Sequence, residues 1–503
     1  MTDATAGAAA PPVDEPIKPI ATVVGFGLFL LFLLLPAPAG LPDEAWTVVA
    51  VGVLMITWWI TEAIPVPATA LVPIVALPLL GILPAGQVTA TYGDPVIFLF
   101  MGGFVLALAM ERSELHRRVA LNILARTGSR QDRVVGGFMV ATMALGMWVS
   151  NTATAVMMLP VALSVAALLG KDGEEGKRFS LALLLAVAYA ASIGGITTLI
   201  GSPPNAIVAG LMSQTYGYDI TFARWMSVGI PVAIVMLFLC WLLLTRLAIK
   251  LPRTEVEGAH TLISEEVAKL GAWSSAEKRV AVVFVATAGA WVFRSVLAQI
   301  LPGLTDATIS IACAIALFVI PAGGKENGAL MDWETAKKLP WGVLLLFGGG
   351  LALASAVTST GLDRWIGYQL SYAATGLPLI AIVFLVVLVI LFLTEFMSNT
   401  ATAAAFVPLV AALAISVGEN PLILAIPATF AAGMAFMLPV ATPPNALVYG
   451  TGHVPIQEMA KKGFLLNLIV LAVITTLAYA LILLVFDVTA GVVPEWAAEA
   501  TRG

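Results

Sequence analysis

Ser150-Asn151-Thr152-Ala153-Thr154-Ala155 recurs as Ser398-Asn399-Thr400-Ala401-Thr402-Ala403, and a proline follows each copy at the same offset, Pro160 and Pro408. Both hexapeptides interrupt apolar runs, 134–168 and 379–416, that are too long for one membrane crossing. Gly201-Ser202-Pro203-Pro204-Asn205-Ala206 recurs as Ala441-Thr442-Pro443-Pro444-Asn445-Ala446. Upstream, Phe100-Met101-Gly102-Gly103 matches Phe347-Gly348-Gly349-Gly350, and Leu115 and Arg117 match Leu362 and Arg364. Landmarks in one order, met twice, make the chain an internal duplication.

The 503 residues around these landmarks are 60% hydrophobic and 11% charged, with a mean hydropathy of +0.99. Soluble globular domains carry about 25% charged residues, so the chain is an all-α integral membrane protein. Cys240 and Cys313 lie in apolar runs as packing residues, and His116, His260 and His453 form no ligand pair. Neither the net charge of −5 nor any motif points to a nucleic-acid partner. The segment 1–19 is Ala- and Pro-rich, lacks a basic start, and reads as a disordered cytoplasmic tail rather than a signal peptide.

Charged and Gly/Pro-rich connections mark spans near 20–36, 46–62, 65–81, 95–111, 179–212 and 227–247. Further spans fall near 280–298, 308–321, 342–360, 422–450 and 464–487. If 134–168 and 379–416 are re-entrant hairpins, there are eleven crossings and the termini lie on opposite sides. With the N-terminus cytoplasmic, all of the 25 Lys and Arg except Arg224, Arg294, Arg364 and Arg502 fall on or near the cytoplasmic side. The hairpin mouths then face opposite sides. That predicts two inverted repeats: 20–250, with hairpin 134–168 and broken helix 179–212, and 280–490, with hairpin 379–416 and broken helix 422–450. A cytoplasmic connection, 251–279, joins them, and 491–503 is an external tail. Inverted repeats with interrupted helices are the architecture of secondary transporters.

A Ser-Asn-Thr triplet at a helix break offers two hydroxyls, a carboxamide and exposed backbone groups. Such groups donate to a carboxylate or, through oxygen, coordinate a hard cation. The paired prolines remove two N–H donors and disfavour helix just before them. Carbonyls near Gly201 and Ala441 are thereby freed, and a helix N-terminus that favours negative charge is opened. Ser, Thr and Asn also serve as plain glue between membrane helices. Two copies, each at a break and each paired with a Pro-Pro-Asn break, favour the ligand role. The four site segments contain no Lys, Arg or His, so a bound anion would rest on helix ends, neutral donors and co-bound cations. Their one charged residue, Glu395, reads first as a structural hydrogen-bond partner near the second tip, with proton coupling as the sharper alternative. The run Arg112–Arg133 reads as a positive-inside anchor. Trp58, Trp59 and Trp148 read as packing or interface residues.

The paired SNT motifs, the two PPN breaks and the layout resemble the divalent anion/sodium symporter family, over nearly the whole chain from about residue 20. The resemblance implies eleven transmembrane helices plus two re-entrant hairpins, divided into scaffold and elevator-type transport domains, in a homodimer. It implies sodium-coupled symport of C4 dicarboxylates such as succinate, malate and fumarate through the inner (plasma) membrane, without an organic cofactor. By motif position, one sodium falls to Ser150, Asn151 and the carbonyls of Gly146 and Gly201. A second falls to Asn399 with oxygens at Thr394, Met397 and Ala441. The substrate falls to Ser150, Asn151, Thr152, Ser398, Asn399 and Thr400, completed by Ser202 and Thr442. The family often has threonine at these last two positions, so Ser202 loses a methyl.

Several alternatives stand beside this, among them an arsenite or proton antiporter on a related fold, which is disfavoured because twin SNT motifs suit a carboxylate. A sodium-independent dicarboxylate exchanger, or a citrate or sulfate transporter, would keep the fold. An enzyme would need a convergent set of acid, base, nucleophile or metal ligands, and none is legible. A channel is disfavoured because breaks opening to opposite sides suit alternating access.

Overall fold

The computed structural model describes residues 18–169, 173–323, 326–374 and 376–500. The expected tail before Lys18 lies outside the described residues, as do Lys171, Lys325 and Arg502.

The first half begins with α1 (Pro19–Leu34), α2 (Asp43–Thr61), α3 (Val66–Thr69), α4 (Val72–Leu79) and α5 (Ala85–Ala90). Next come α6 (Pro95–Arg112), α7 (Leu115–Leu124), α8 (Gln131–Gly146) and α9 (Asn151–Ala167). It closes with α10 (Glu174–Gly195), α11 (Pro203–Tyr216) and α12 (Phe222–Leu242). A connecting helix, α13 (Ala259–Lys269), leads to α14 (Ser275–Val292), α15 (Arg294–Ile300) and α16 (Asp306–Val319). A small antiparallel pair, β1 (Pro321–Gly323) with β2 (Glu326–Ala329), precedes α17 (Trp333–Ala336) and α18 (Trp341–Ser359). Then follow α19 (Leu362–Ala374), α20 (Leu379–Leu393), α21 (Asn399–Ser416), α22 (Leu422–Ala432) and α23 (Pro443–Gly450). The last are α24 (Ile456–Val473), α25 (Tyr479–Val485) and α26 (Glu495–Ala500). Among the described residues, seven helices are long and apolar enough to cross a membrane, or eight with α14 and α15 taken as one bent span.

The two halves repeat one sequence of elements. A Gly-rich helix (α6, α18) is followed by a short amphipathic one (α7, α19), a helix–break–helix pair (α8–α9, α20–α21) and a second broken pair (α10–α11, α22–α23). The long closing helices share a further feature, a π-helical stretch at Leu243–Ala248 after α12 and at Ile474–Ala478 between α24 and α25. The broken helices form the centre. Residues 182–195 of α10 and every residue of α22 are buried, whereas α1, α14 and α24 each keep several exposed apolar residues. A continuously buried helix packs on all sides, and small residues let its neighbours approach. A Cβ at Gly194 would stand 2.7 Å from the Met143 carbonyl oxygen and 3.1 Å from the Gly146 Cα, so α8 and α10 meet backbone to backbone.

Three features go beyond the sequence reading. Within the span near 280–298, α14 and α15 meet at 84° around Phe293. The run has no Pro or Gly at the bend. What holds the turned end is Arg294, paired with Asp306 at 3.4 Å and Asp219 at 3.8 Å, contacts made with residues distant in sequence. The connection 251–279 contains a helix, α13. Glu255 bridges Arg130 through the backbone, and α13 packs on α7, where Arg117 pairs with Glu266 at 2.9 Å. The Arg112–Arg133 run is more than a charged anchor, because part of it forms α7 and Arg118 is buried.

Arg118 Nε and Nη2 donate to the Glu277 carboxylate at 2.6 and 3.2 Å, and its other donors reach the carbonyls of Leu270, Gly271 and Ala272. Glu277 also closes a capping box with Ser274 that starts α14. Replacing one member of a buried pair strands the other charge, at a cost of about 3–5 kcal/mol. Arg118→Ala is therefore expected to lower the thermal midpoint of the detergent-solubilised protein sharply, and Arg117→Ala, at a partly exposed pair, only slightly. Equal midpoints for the two variants would contradict this assignment.

Candidate transport site

Both SNT serines start a helix. Ser150 Oγ accepts from the Ala153 N–H at 3.3 Å at the head of α9, and Ser398 Oγ accepts from the Ala401 N–H at 3.1 Å at the head of α21. Asn151 with Thr152, and Asn399 with Thr400, occupy the first helical turn, where backbone N–H groups have no intrahelical acceptor. The breaks fall at 147–150 and 394–398, where the paired motifs predict them.

The PPN asparagines answer a different need. Unwinding between α10 and α11 strands carbonyls inside the core. Asn205 Nδ2 donates to those of Gly195 (2.9 Å) and Thr198 (2.7 Å). In the other half Asn445 Nδ2 donates to Ala435 (3.2 Å) and Leu438 (3.1 Å). The acceptors lie ten and seven positions before the asparagine in both halves. The duplication thus extends to individual hydrogen bonds. This clamp was not legible from the motif, since a side-chain amide does not announce its acceptors.

Around the first break the predicted residues converge. A Cβ on Gly201 would meet the carbonyl oxygens of Gly195 (2.6 Å) and Gly146 (3.2 Å). A Cβ on Gly195 would meet both carboxamide atoms of Asn151 at 2.9 Å and Ser202 Cβ at 3.3 Å. Gly146, Asn151, Gly201 and Ser202 are therefore gathered about Gly195, a residue the sequence did not single out. Any side chain there would have to displace the Asn151 amide. Asn151 Oδ1 is buried without a hydrogen-bond partner, and so are Asn205 Oδ1 and Asn445 Oδ1. Buried acceptors lacking donors are rare, and neutral oxygens of this kind suit a hard cation.

The second break is built differently. The Thr394 hydroxyl lies 2.8 Å from Asn399 Oδ1 and 2.9 Å from the Ala432 carbonyl, and its one proton serves either. Thr442 Oγ1 caps α23 by accepting from the Asn445 N–H at 3.4 Å, whereas Ser202 makes no such side-chain cap. Met397 and Ala441 are buried beside the break. Glu395 is 1% exposed, and its carboxylate accepts from the N–H groups of Phe436, Met437 and Leu438 and from Asn467 Nδ2, at 2.8–3.2 Å. All of these are donors to an acceptor-only carboxylate, which matches the structural reading of this residue. At the equivalent position Met147 has no polar side chain; its carbonyl accepts from the Thr198 hydroxyl at 2.5 Å. Trp148 packs among Phe222, Phe284 and Trp291. Among the described residues no cluster of three or more His, Cys, Asp or Glu side chains is placed to hold a metal.

Apolar spans interrupted at two matched, polar and deeply buried breaks define a polytopic membrane transporter. The family model described as the sodium:sulfate symporter transmembrane region matches residues 18–486. A sodium-dependent dicarboxylate transporter, SdcS, of Staphylococcus saprophyticus is 44% identical over 486 residues, 93% of each chain. SdcS of Staphylococcus aureus is 44% identical over 471 residues, 92% of this chain and 90% of that one. The crystal structure of the Alcanivorax borkumensis YdaH transporter matches 89% of this chain and 99% of its own, with a TM-score of 0.58 at 16% identity. Neisseria gonorrhoeae MtrF, from a class of antimetabolite efflux pumps, matches 93% and 95% with a TM-score of 0.51 at 12% identity. These two speak to the fold alone. The chain belongs to the sodium:sulfate symporter family, the divalent anion/sodium symporters that its paired motifs resemble, and it is a transporter rather than an enzyme.

The amide clamp has a direct test. Asn205→Asp keeps the size but removes both N–H donors, leaving two buried carbonyls unpaired at about 1–3 kcal/mol each. Asn445→Asp does the same in the other half. Both are expected to lower the thermal midpoint and abolish uptake, and a variant with native stability and uptake would rule out the clamp.

Proposed function

We propose that this protein is a sodium-coupled symporter carrying C4 dicarboxylates such as succinate, malate and fumarate into the cell. It does so as eleven transmembrane helices plus two re-entrant hairpins in two inverted repeats. The repeats span 20–250 and 280–490, with hairpins 134–168 and 379–416. A homodimer in the inner membrane, N-termini cytoplasmic and C-termini external, moves its transport domains as elevators against a fixed scaffold.

The observation that carries the coupling is the gathering of Gly146, Asn151, Gly201 and Ser202 around a buried, unpartnered Asn151 Oδ1. Magnitudes decide the rest. Bringing a charge out of water costs several kcal/mol per ion even after relaxation, and a dicarboxylate carries two. Each helix N-terminus returns at best about 2 kcal/mol, and α9 and α21 supply two of them. The four site segments hold no Lys, Arg or His. The deficit falls to cations that travel with the substrate, and two sodium ions would neutralise it. In this proposal Ser150, Asn151 and the Gly146 and Gly201 carbonyls hold one ion. Asn399, with oxygens at Thr394, Met397 and Ala441, holds the other. The hydroxyls and amides of 150–152 and 398–400, with Ser202 and Thr442, orient the carboxylates. The names of the 44% identical SdcS relatives support both sodium and dicarboxylate.

Labelled succinate uptake into proteoliposomes, with an inward sodium gradient against an equal potassium gradient, tests this. The expected result is uptake with sodium only, reduced about tenfold or more in Asn151→Ala and Asn399→Ala, as for the loss of a hydrogen bond to a charged group. Sodium-independent uptake that needs internal dicarboxylate would make it an exchanger. Sodium-driven citrate or sulfate uptake without succinate uptake would overturn the substrate.

A further inference from the structure

A groove of about 320 Å³ opens where the turn after α7, the start of α8 and the end of α12 meet. Its apolar wall is Ile123, Val140 and Trp241 over the bare backbone of Gly136, and Asp132 and Arg133 line it as well. A Cβ at Gly136 would stand 3.2 Å from Trp241 Nε1, so the indole lies directly on the helix. The ring is fixed in place: Nε1 donates to the Asp132 carbonyl at 2.9 Å, and the Arg246 guanidinium stands 5.8 Å over it.

The charges around this groove do not cancel. Asp132 is already paired twice, with Arg130 at 2.8 Å and with Arg246. Arg133 is exposed, and so is Arg126, between the lining residues Ile123 and Thr127. With Glu255, bridged to Arg130 through the backbone, and Glu175, which accepts from Gln131 Nε2 at 2.6 Å, four arginines stand with three acids, and Arg126 and Arg133 are the two without an ion-pair partner among the described residues.

Its depth is set by α12. With its π-helical extension this helix runs Phe222–Ala248, 27 residues, or roughly 40 Å at 1.5 Å per residue. Arg224 and Arg246 near its two ends therefore bracket the hydrocarbon core, and the groove sits at the Arg246 end. On the inner side of that level, the flanking surface is apolar: Val140, Ile234 and Phe238 are 48–58% exposed. A ligand here meets arginines at one end and a lipid-facing wall at the other. We propose that the groove is a binding site for an anionic phospholipid, its phosphate on Arg126 and Arg133 and an acyl chain along Val140 and Trp241. Basic pockets between helices at the membrane surface recognise such headgroups, at about 1 kcal/mol per cationic side chain. A soluble anion would leave the apolar wall unused.

Delipidated protein in detergent, titrated with phosphatidylglycerol or phosphatidylcholine and read by native mass spectrometry, tests the site. Phosphatidylglycerol is expected to bind in preference to phosphatidylcholine. Arg126→Ala and Arg133→Ala should each weaken it about fivefold. Arg133→Lys should retain binding, and Arg224→Ala, at the opposite end of α12, should leave it unchanged. An unchanged elution profile and unchanged phosphatidylcholine adducts show that the variants are folded. Equal binding of the two lipids, wild-type affinity in the double variant, or displacement of phosphatidylglycerol by millimolar inorganic phosphate would each overturn the proposal.

Discussion

A helix interrupted inside a buried core leaves backbone groups that no apolar neighbour can satisfy, and the carboxamides of Asn205 and Asn445 meet that need in both halves. Each binds the carbonyls ten and seven positions before it, so the unwound stretch has a fixed shape rather than a frayed one. Everything at the site depends on that shape. Gly195, at the end of α10, lies under the Asn151 amide with its carbonyl held by Asn205, and Gly201, in the pinned stretch that follows, meets the Gly146 carbonyl. Asparagine is suited to the position, since its two N–H groups serve two carbonyls at once without bringing a charge into the membrane.

The two halves share this clamp and differ in how the SNT segment is tied to it. In the first, the Thr198 hydroxyl bonds the Met147 carbonyl. In the second, the Glu395 carboxylate gathers three consecutive backbone N–H groups and the Asn467 amide, drawing α24 onto the same junction. There Gly463 lets α24 approach the Phe436 carbonyl closely. A buried carboxylate with four donors is a stiffer tie than a single hydroxyl. The second break is therefore the more firmly held, consistent with Asn399 Oδ1 having Thr394 as a neighbour while Asn151 Oδ1 has no partner.

Much of this was legible in the sequence because the deciding signals were local or repeated. Doubled SNT and PPN motifs located all four breaks, and the seven long apolar helices among the described residues fall on apolar runs of the sequence. The features that were missed depend on distant partners. Arg118 looks like any basic residue near a span end until Glu277 and the carbonyls of 270–272 close around it. The bend at Phe293 has no Pro or Gly to announce it and rests on Asp219 and Asp306. The amphipathic helices α7 and α19 carried a usable signal, apolar residues at helical spacing, which the count of positive charges obscured. Gly195 was hidden in a run of small residues, and only its neighbours reveal why it is glycine.

The central claim of the proposed function is that the paired breaks themselves hold sodium, through Asn151 in one half and Asn399 in the other. An ion that binds only the folded state stabilises it, by about 2.7 kcal/mol at a hundredfold excess over Kd. The most direct measurement is the thermal midpoint of substrate-free protein in sodium against potassium at equal ionic strength. The account predicts a higher midpoint in sodium, diminished by Asn151→Ala or Asn399→Ala and abolished by both together. The same midpoint in both salts, for a protein that otherwise unfolds cooperatively, would contradict it.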